Sequence, residues 1–211
     1  MKLVLLSDIH SRFPRSDELE SELKTADAVL ISGDITGFGS YDEGEAIIKH
    51  IKKFCKSVFA VGGNCDTFEI ARMIENLDVS VHGQAGNAGG LCVTGVSGVE
   101  RGRMPLNFYD ILENSIASEK NCRKLAVISH EPAFGTDRCG RSSSRKGNRN
   151  IREFAEKYQP VLAVSGHVHE AWGSQKIGKT VYINPGAWLE RRFATVMLDN
   201  NLEFSGAEFH S

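Results

Sequence analysis

Residues 2–10 read KLVLLSDIH, five residues of buried-strand character cut off by Ser7-Asp8, with His10 two positions further on. A strand that is apolar along its whole length, rather than at alternate positions, is covered on both faces, as parallel strands are between layers of helices. The same punctuation recurs down the chain. Ala28 to Ile31 runs into Gly33-Asp34, and Val58 to Val61 into Gly62-Gly63-Asn64-Cys65-Asp66. Leu125 to Ile128 runs into Ser129-His130-Glu131-Pro132, and Val161 to Val164 into Gly166-His167-Val168-His169.

Amphipathic helical patterns fill the gaps. Ser16 precedes Leu19 and Leu23, and the stretch from Tyr41 to Lys56 sets Ile47, Ile48, Ile51, Phe54 and Cys55 on one stripe. Asp66-x-x-Glu69 fits a capping box, which predicts a third helix with Asp66 as its N-cap. A fourth follows Asn107, and a fifth runs from about Asn150 to Tyr158 and stops before Pro160. Strand and helix alternate, so the class is α/β. Leu91 to Val96, Thr180 to Ile183, Ala194 to Leu198 and Leu202 to Phe209 also read as strands, and the last three lie too close together for intervening helices. That end is expected to be antiparallel. A mixed sheet, or two sheets packed together between helices, accounts for both halves. No repeat or linker interrupts the chain, so residues 1–211 are expected to form one domain.

Composition narrows the function. With 41% apolar and 25% charged residues in 211, the chain can bury a core, which sets aside disordered and fibrous classes. A formal charge of −2 removes the electrostatic case for a dedicated nucleic-acid binder. No apolar run spans a bilayer and the first one is too short for a secretory signal, so a cytoplasmic protein without membrane partners is expected. Five widely spaced cysteines without a C-x-x-C pair are expected to be reduced.

The chemistry lies in what terminates the strands. Carboxyl ends of parallel strands line the crevice in which α/β sheets bind ligands, so five strand ends bearing Asp, Asn and His are expected to converge. If the chain stays extended there, Asp8 with His10, and His167 with His169, point to one side in pairs. A single Gly-Asp is most often a turn and a single His often a core residue, but five strand ends in succession carry four of the seven histidines. Imidazole with carboxylate suits Mn²⁺, Fe or Zn²⁺ better than Ca²⁺ or Mg²⁺. About seven ligands exceed what one tetrahedral ion takes, so two divalent ions about 3.5 to 4 Å apart are expected. Glycines 33, 62, 63 and 166 beside them permit close backbone approach.

In this order and spacing, Asp8-x-His10, Gly33-Asp34, Gly63-Asn64-Cys65-Asp66, His130 and Gly166-His167-Val168-His169, with an Asn184-Pro185-Gly186 turn, the chain resembles the calcineurin-like metallophosphoesterase family, in its small bacterial and archaeal phosphodiesterase-like branch. The resemblance implies a four-layer α/β/β/α sandwich of two mixed sheets flanked by helices. It implies that Asp8, His10 and His169 hold one metal, that Asn64, His130 and His167 hold the other, and that Asp34 bridges them. Mn²⁺ is expected ahead of Fe, Zn, Ni or Co. A water or hydroxide between the ions then attacks phosphorus in line, with no protein nucleophile.

Cys65 departs from the protein-phosphatase branch, where a His after the Asn protonates the leaving alkoxide. A thiol is the poorer donor, so hydrolysis of esters with basic leaving groups is expected to suffer. Cys at this position resembles the small phosphodiesterase-like branch, and that resemblance shifts the expected reaction from phosphomonoesters to phosphodiesters. The expected function is therefore phosphodiester hydrolysis, with a phosphatase, or a weakly active scaffold of the same fold, as the rivals. Asn64 and Cys65 are the candidate catalytic side chains. Arg12, and Arg145 and Arg149 in a basic stretch from Arg138 to Arg152, are the candidate phosphate contacts. The partner is a phosphate-ester substrate, nucleic acid entering only as such. C-terminal strands can pair between chains, though nothing specifies a homo-oligomer.

Overall fold

The computed structural model describes residues 1–13, 15–98, 107–117, 121–136 and 147–211. One sheet is built from β1 (Lys2–Leu6), β2 (Ala28–Ser32), β3 (Val58–Val61), β10 (Phe193–Leu198) and β11 (Phe204–His210), in the order β11-β10-β1-β2-β3. The other contains β4 (Ala85–Ala88), β5 (Leu91–Val96), β6 (Lys124–Ser129), β7 (Leu162–Val164), β8 (Gly173–Ile177) and β9 (Thr180–Asn184), in the order β4-β5-β6-β7-β9-β8. Both are mixed. β1, β2 and β3 run parallel, as do β5, β6, β7 and β9, while β10, β11, β4 and β8 pair antiparallel.

Alternate residues of the apolar strands serve different layers. Leu3, Leu5, Leu30 and Val61 face Val93, Ile128, Leu162 and Ile183 between the two sheets. Val4, Leu6, Val29 and Ile31 face outward onto α1 (Asp17–Thr25), α2 (Tyr41–Phe54) and α3 (Phe68–Asn76), through Leu19, Leu23, Ile48, Ile51 and Ile70. On the far side, Val127 and Tyr182 are covered by Leu112 of α4 (Phe108–Ala117) and by Ile151, Phe154 and Ala155 of α5 (Arg149–Tyr158). This is the α/β/β/α sandwich, and it explains why the parallel strands are apolar on both faces. Three helices start where their caps specify. Ser16 Oγ accepts from Leu19 N, Ser40 and Glu43 form a reciprocal capping box, and Asn148 accepts from Asn150 and Ile151. No helix among the described residues is long and apolar enough to cross a membrane.

Two expectations fail. Asp66 does not cap α3, whose N-cap is Thr67 without a side-chain bond; Asp66 is instead buried and turned back into the loops. Nor are all the cysteines reduced. Cys92, buried in β5, and Cys122, exposed ahead of β6, form a disulfide, with Cα atoms 5.3 Å apart. Cys55 and Cys65 are free.

Candidate metal centre

The loops after β1, β2 and β3 and those after β6 and β7 meet along one seam between the sheets. The chain does not stay extended there, as the pairwise spacing had suggested. Asp8, His10, Asp34 and His167 take left-handed conformations, with φ of 53°, 49°, 50° and 66°. Asp and His tolerate that region better than most residues, yet it is still strained, so the surrounding bonds must hold the turns. Asp8 N and Ile9 N donate to the Gly33 and Asp34 carbonyls at 3.0 and 2.8 Å, and His10 N donates to Asp34 O at 2.9 Å. His169 lies in a short helical turn, His169–Ala171.

Glycine is required where the loops touch. A Cβ on Gly63 would collide with the Asp34 carboxylate and backbone N, and one on Gly166 would collide with Ser7 Oγ and Asp8 Oδ2. The close approach is to the acidic side chains themselves.

The donors form two clusters. On one side His169 Nε2 is 3.3 Å from Asp8 Oδ1, and His10 Nε2 is 4.0 Å from the same oxygen. On the other, His130 Nε2 is 2.9 Å from Asn64 Oδ1. Asp34 stands between them, its Oδ2 3.7 Å from His10 Nε2 and 3.3 Å from His130 Nε2. Three sets of ligand atoms fall within 4.8 Å of one another: Asp8, His10 and His169; Asp8, Asp34 and His130; and His10, Asp34 and Cys65. His167 joins none of these, but its ring stands edge-on to that of His130, centroids 5.0 Å apart, and its backbone N–H donates to Asp8 Oδ2 at 3.1 Å.

These groups suit cations. His130 Nδ1 lies 2.9 Å from the Ser32 carbonyl, to which only an N–H can donate, so the neutral ring turns a lone pair at Nε2 toward the oxygens of Asn64 and Asp34. Three acceptors aimed at one another are stable only around a proton or a cation. Without a metal, the charges settle it by protonation. Burial pushes the Asp8 and Asp34 carboxyls up, but hydrogen bonds and positive charge from His169 and His130 outweigh it and leave both acids below their usual range. Burial depresses His130, but Asp34 and Asp8 carry it above its ordinary value; His169 is raised chiefly by its bond to Asp8. The Cys65 thiol is pushed up to about 11 by burial and by Asp34 beside it.

Asp66 holds the scaffold behind these side chains. Its Oδ2 accepts from Ile35 N and Gly63 N at 3.0 and 2.9 Å, and its Oδ1 accepts from Thr36 N and Thr36 Oγ1 at 2.7 and 3.0 Å. One carboxylate thereby ties the loop carrying Asp34 to the loop carrying Asn64. Glu190, whose Oε1 is 3.9 Å from His169 Nδ1, is the acid behind that ring. Neither role had a signal in the sequence beyond the presence of an acid near a motif.

Arg12 is exposed, with no ion-pair partner among the described residues. Arg149 lies on the Phe134 ring, 4.2 Å from its centroid, and Arg145 lies outside the described residues, as does most of the basic stretch.

Comparison with known proteins agrees with the geometry. The family model described as calcineurin-like phosphoesterase matches residues 1–171. An uncharacterised protein of Methanocaldococcus jannaschii is 26% identical over 198 residues, covering 88% of each chain. Among solved structures, TT1561 of Thermus thermophilus superposes with a TM-score of 0.72 at 15% identity, over 99% of this chain and 97% of that one. A phosphopantetheinyl hydrolase of Mycobacterium tuberculosis superposes at 0.59 and 12% identity, over 97% and 95%.

Proposed function

Because the chain belongs to the calcineurin-like phosphoesterase family, we propose that it hydrolyses phosphodiesters using two divalent cations. Asp8, His10 and His169 hold one, Asn64, His130 and His167 hold the other, and Asp34 bridges them. The observation that carries this reading is the shared carboxylate, with Asp34 Oδ2 facing His10 Nε2 at 3.7 Å and His130 Nε2 at 3.3 Å. The mixed nitrogen and oxygen donors favour Mn²⁺, then Fe, Zn, Ni or Co, over Mg²⁺ or Ca²⁺. When bound, such cations supply a water-derived nucleophile at neutral pH and neutralise phosphoryl charge.

The chain's own groups do the rest. The Ser32 carbonyl fixes the His130 ring, and Asp66 sets the distance between the Asp34 and Asn64 loops. The Asn64 amide presents an oxygen to His130 and an N–H on its other arm, which can bind a phosphoryl oxygen. Cys65 keeps its proton at neutral pH and is too weak an acid to help a basic alkoxide depart, which favours esters with good leaving groups. We place the enzyme in the cytoplasm.

The test is to strip the protein with chelator, return each metal, and follow bis(4-nitrophenyl) phosphate beside 4-nitrophenyl phosphate. Two equivalents of metal per chain and preferential diester turnover with Mn²⁺ are expected, both lost in Asp34→Asn. No diester turnover with any of the five metals, or an Asp34→Asn protein of full activity, overturns the reading.

A further inference from the structure

Among the described residues, four large apolar side chains are more than a third exposed: Phe38 at 72%, Phe68 at 54%, Met197 at 46% and Leu189 at 37%. Three of them stand on segments fastened to the metal centre. Phe38 donates its backbone N–H to the Cys65 carbonyl at 2.9 Å, and Leu189 donates its own to the Asp8 carbonyl at 3.0 Å. Phe68 opens α3, three residues after Cys65. Only Met197 lies away from the site, on β10.

Phe38 is the extreme case. It combines a phenyl ring in solvent with a left-handed backbone, φ +59°, where a bulky residue is strained. Both features sit on a rigid mount. Thr36 is held by Asp66, Gly37 N donates to Ser11 Oγ at 3.3 Å, and a Cβ on Gly39 would collide with Ser11 Oγ and the Glu43 carboxylate. A strained, exposed aromatic fixed at the rim of a catalytic site is the arrangement that a pre-organised ligand contact requires. The other side of the centre differs in character. There, among the described residues, a cleft of about 260 Å³ is lined by His167, Glu131, Glu170, Pro132, Gly147 and Val168.

Resting on the phosphoesterase reading above, the geometry points to a substrate ester with one flat aromatic substituent, which lies on Phe38, while Leu189 supplies an apolar wall on the Asp8 side. The phosphoryl group occupies the metal centre. Specificity at this rim comes from ring stacking, which tolerates different rings, rather than from a pattern of hydrogen bonds.

Binding of phenylphosphonate and methylphosphonate to the Mn²⁺-loaded protein tests this without requiring turnover. The intact protein is expected to bind the phenyl compound about tenfold more tightly, the scale of one good aromatic contact. Phe38→Ala brings that ratio close to unity, and Leu189→Ala reduces it by a smaller factor. Phe38→Gly also removes the preference, yet melts about 2 to 4 °C higher because the left-handed strain is relieved. Equal binding of the two phosphonates by the intact protein, or a tenfold preference that persists in Phe38→Ala, overturns the assignment. Either result leaves the hydrolysis test untouched, because that test fails on its own terms if no diester is cleaved with any metal.

Discussion

Replacing Asp66 by Asn preserves the side chain's shape and removes its charge, which sets two buried effects against each other. The carboxylate accepts four hydrogen bonds, from Ile35 N, Gly63 N, Thr36 N and Thr36 Oγ1. An amide has one oxygen. In its better orientation that oxygen keeps Ile35 and Gly63, and its NH₂ turns to the Thr36 hydroxyl, leaving Thr36 N–H without an acceptor. An orphaned buried donor costs about 1 to 3 kcal/mol, and turning two charge-assisted bonds into neutral ones costs about 1 kcal/mol each. Against this, burial raises the Asp66 carboxyl above its usual range despite those backbone bonds, so the ionised form carries a desolvation penalty that Asn escapes. We expect the lost bonds to dominate, with a net cost of about 3 kcal/mol, or about 6 to 12 °C in Tm for a domain of this size. Urea titration and thermal melts of the metal-free protein measure it. Because the same bonds space the Asp34 and Asn64 loops, metal affinity should also fall by about 10- to 100-fold. An Asp66→Asn protein within about 1 kcal/mol of wild type, with metal affinity intact, would show that desolvation cancels the network and that Asp66 does not hold the two loops together.

Other outcomes follow from the same geometry. Cys65→His places a stronger proton donor beside the centre and should raise turnover of an alkyl phosphate, whose alkoxide leaving group is basic, relative to the 4-nitrophenyl ester by about tenfold; an unchanged ratio removes Cys65 as a determinant of leaving-group preference. In metal-free protein, the raised His169 contributes stability that is full below its ordinary 6.5 and is lost as pH rises through its folded value. The lowered Asp8 contributes stability present above 3.8 and lost as pH falls through its folded value. Melts from pH 4 to 9 should therefore peak between these limits without metal, and a Tm rising steadily past pH 7 would contradict the pairing. Reducing Cys92–Cys122, which closes a separation of 30 residues, should cost about 3 to 4 kcal/mol on the chain-entropy account, read as a lower urea midpoint in dithiothreitol.

Much of the fold and the candidate site was legible because both depend on strands buried on two faces. Leu3 to Leu6 and Val29 to Ile31 are apolar without alternation because odd and even positions face different layers, and such strands can end only in loops where polar residues reach water or ligand. The partition of the C-terminal strands was not legible. β8 and β9 join one sheet and β10 and β11 the other, and no local pattern encodes which edge a hairpin will cover. Nor was the way the ligands converge. Alternation along an extended chain explained the pairing of Asp8 with His10, whereas left-handed turns achieve it, and φ is set by the Gly33 and Asp34 carbonyls of a neighbouring loop. Asp66 was misread for a related reason: its spacing to Glu69 satisfies a local rule, but the donors that claim it are 30 residues upstream, at Ile35 and Thr36.

The placement of β1 has a consequence for how the molecule is made. Its neighbour on one side, β2, follows within 30 residues, but on the other side Lys2 pairs with Met197 and the Met1 amino group bonds to the Leu198 carbonyl. During vectorial synthesis, one edge of β1 therefore remains open until β10, Phe193–Leu198, has left the ribosome. Such a long-range closure is slow, and an open edge invites pairing with other chains. Nascent chains halted before β10 should be the ones that chaperones retain.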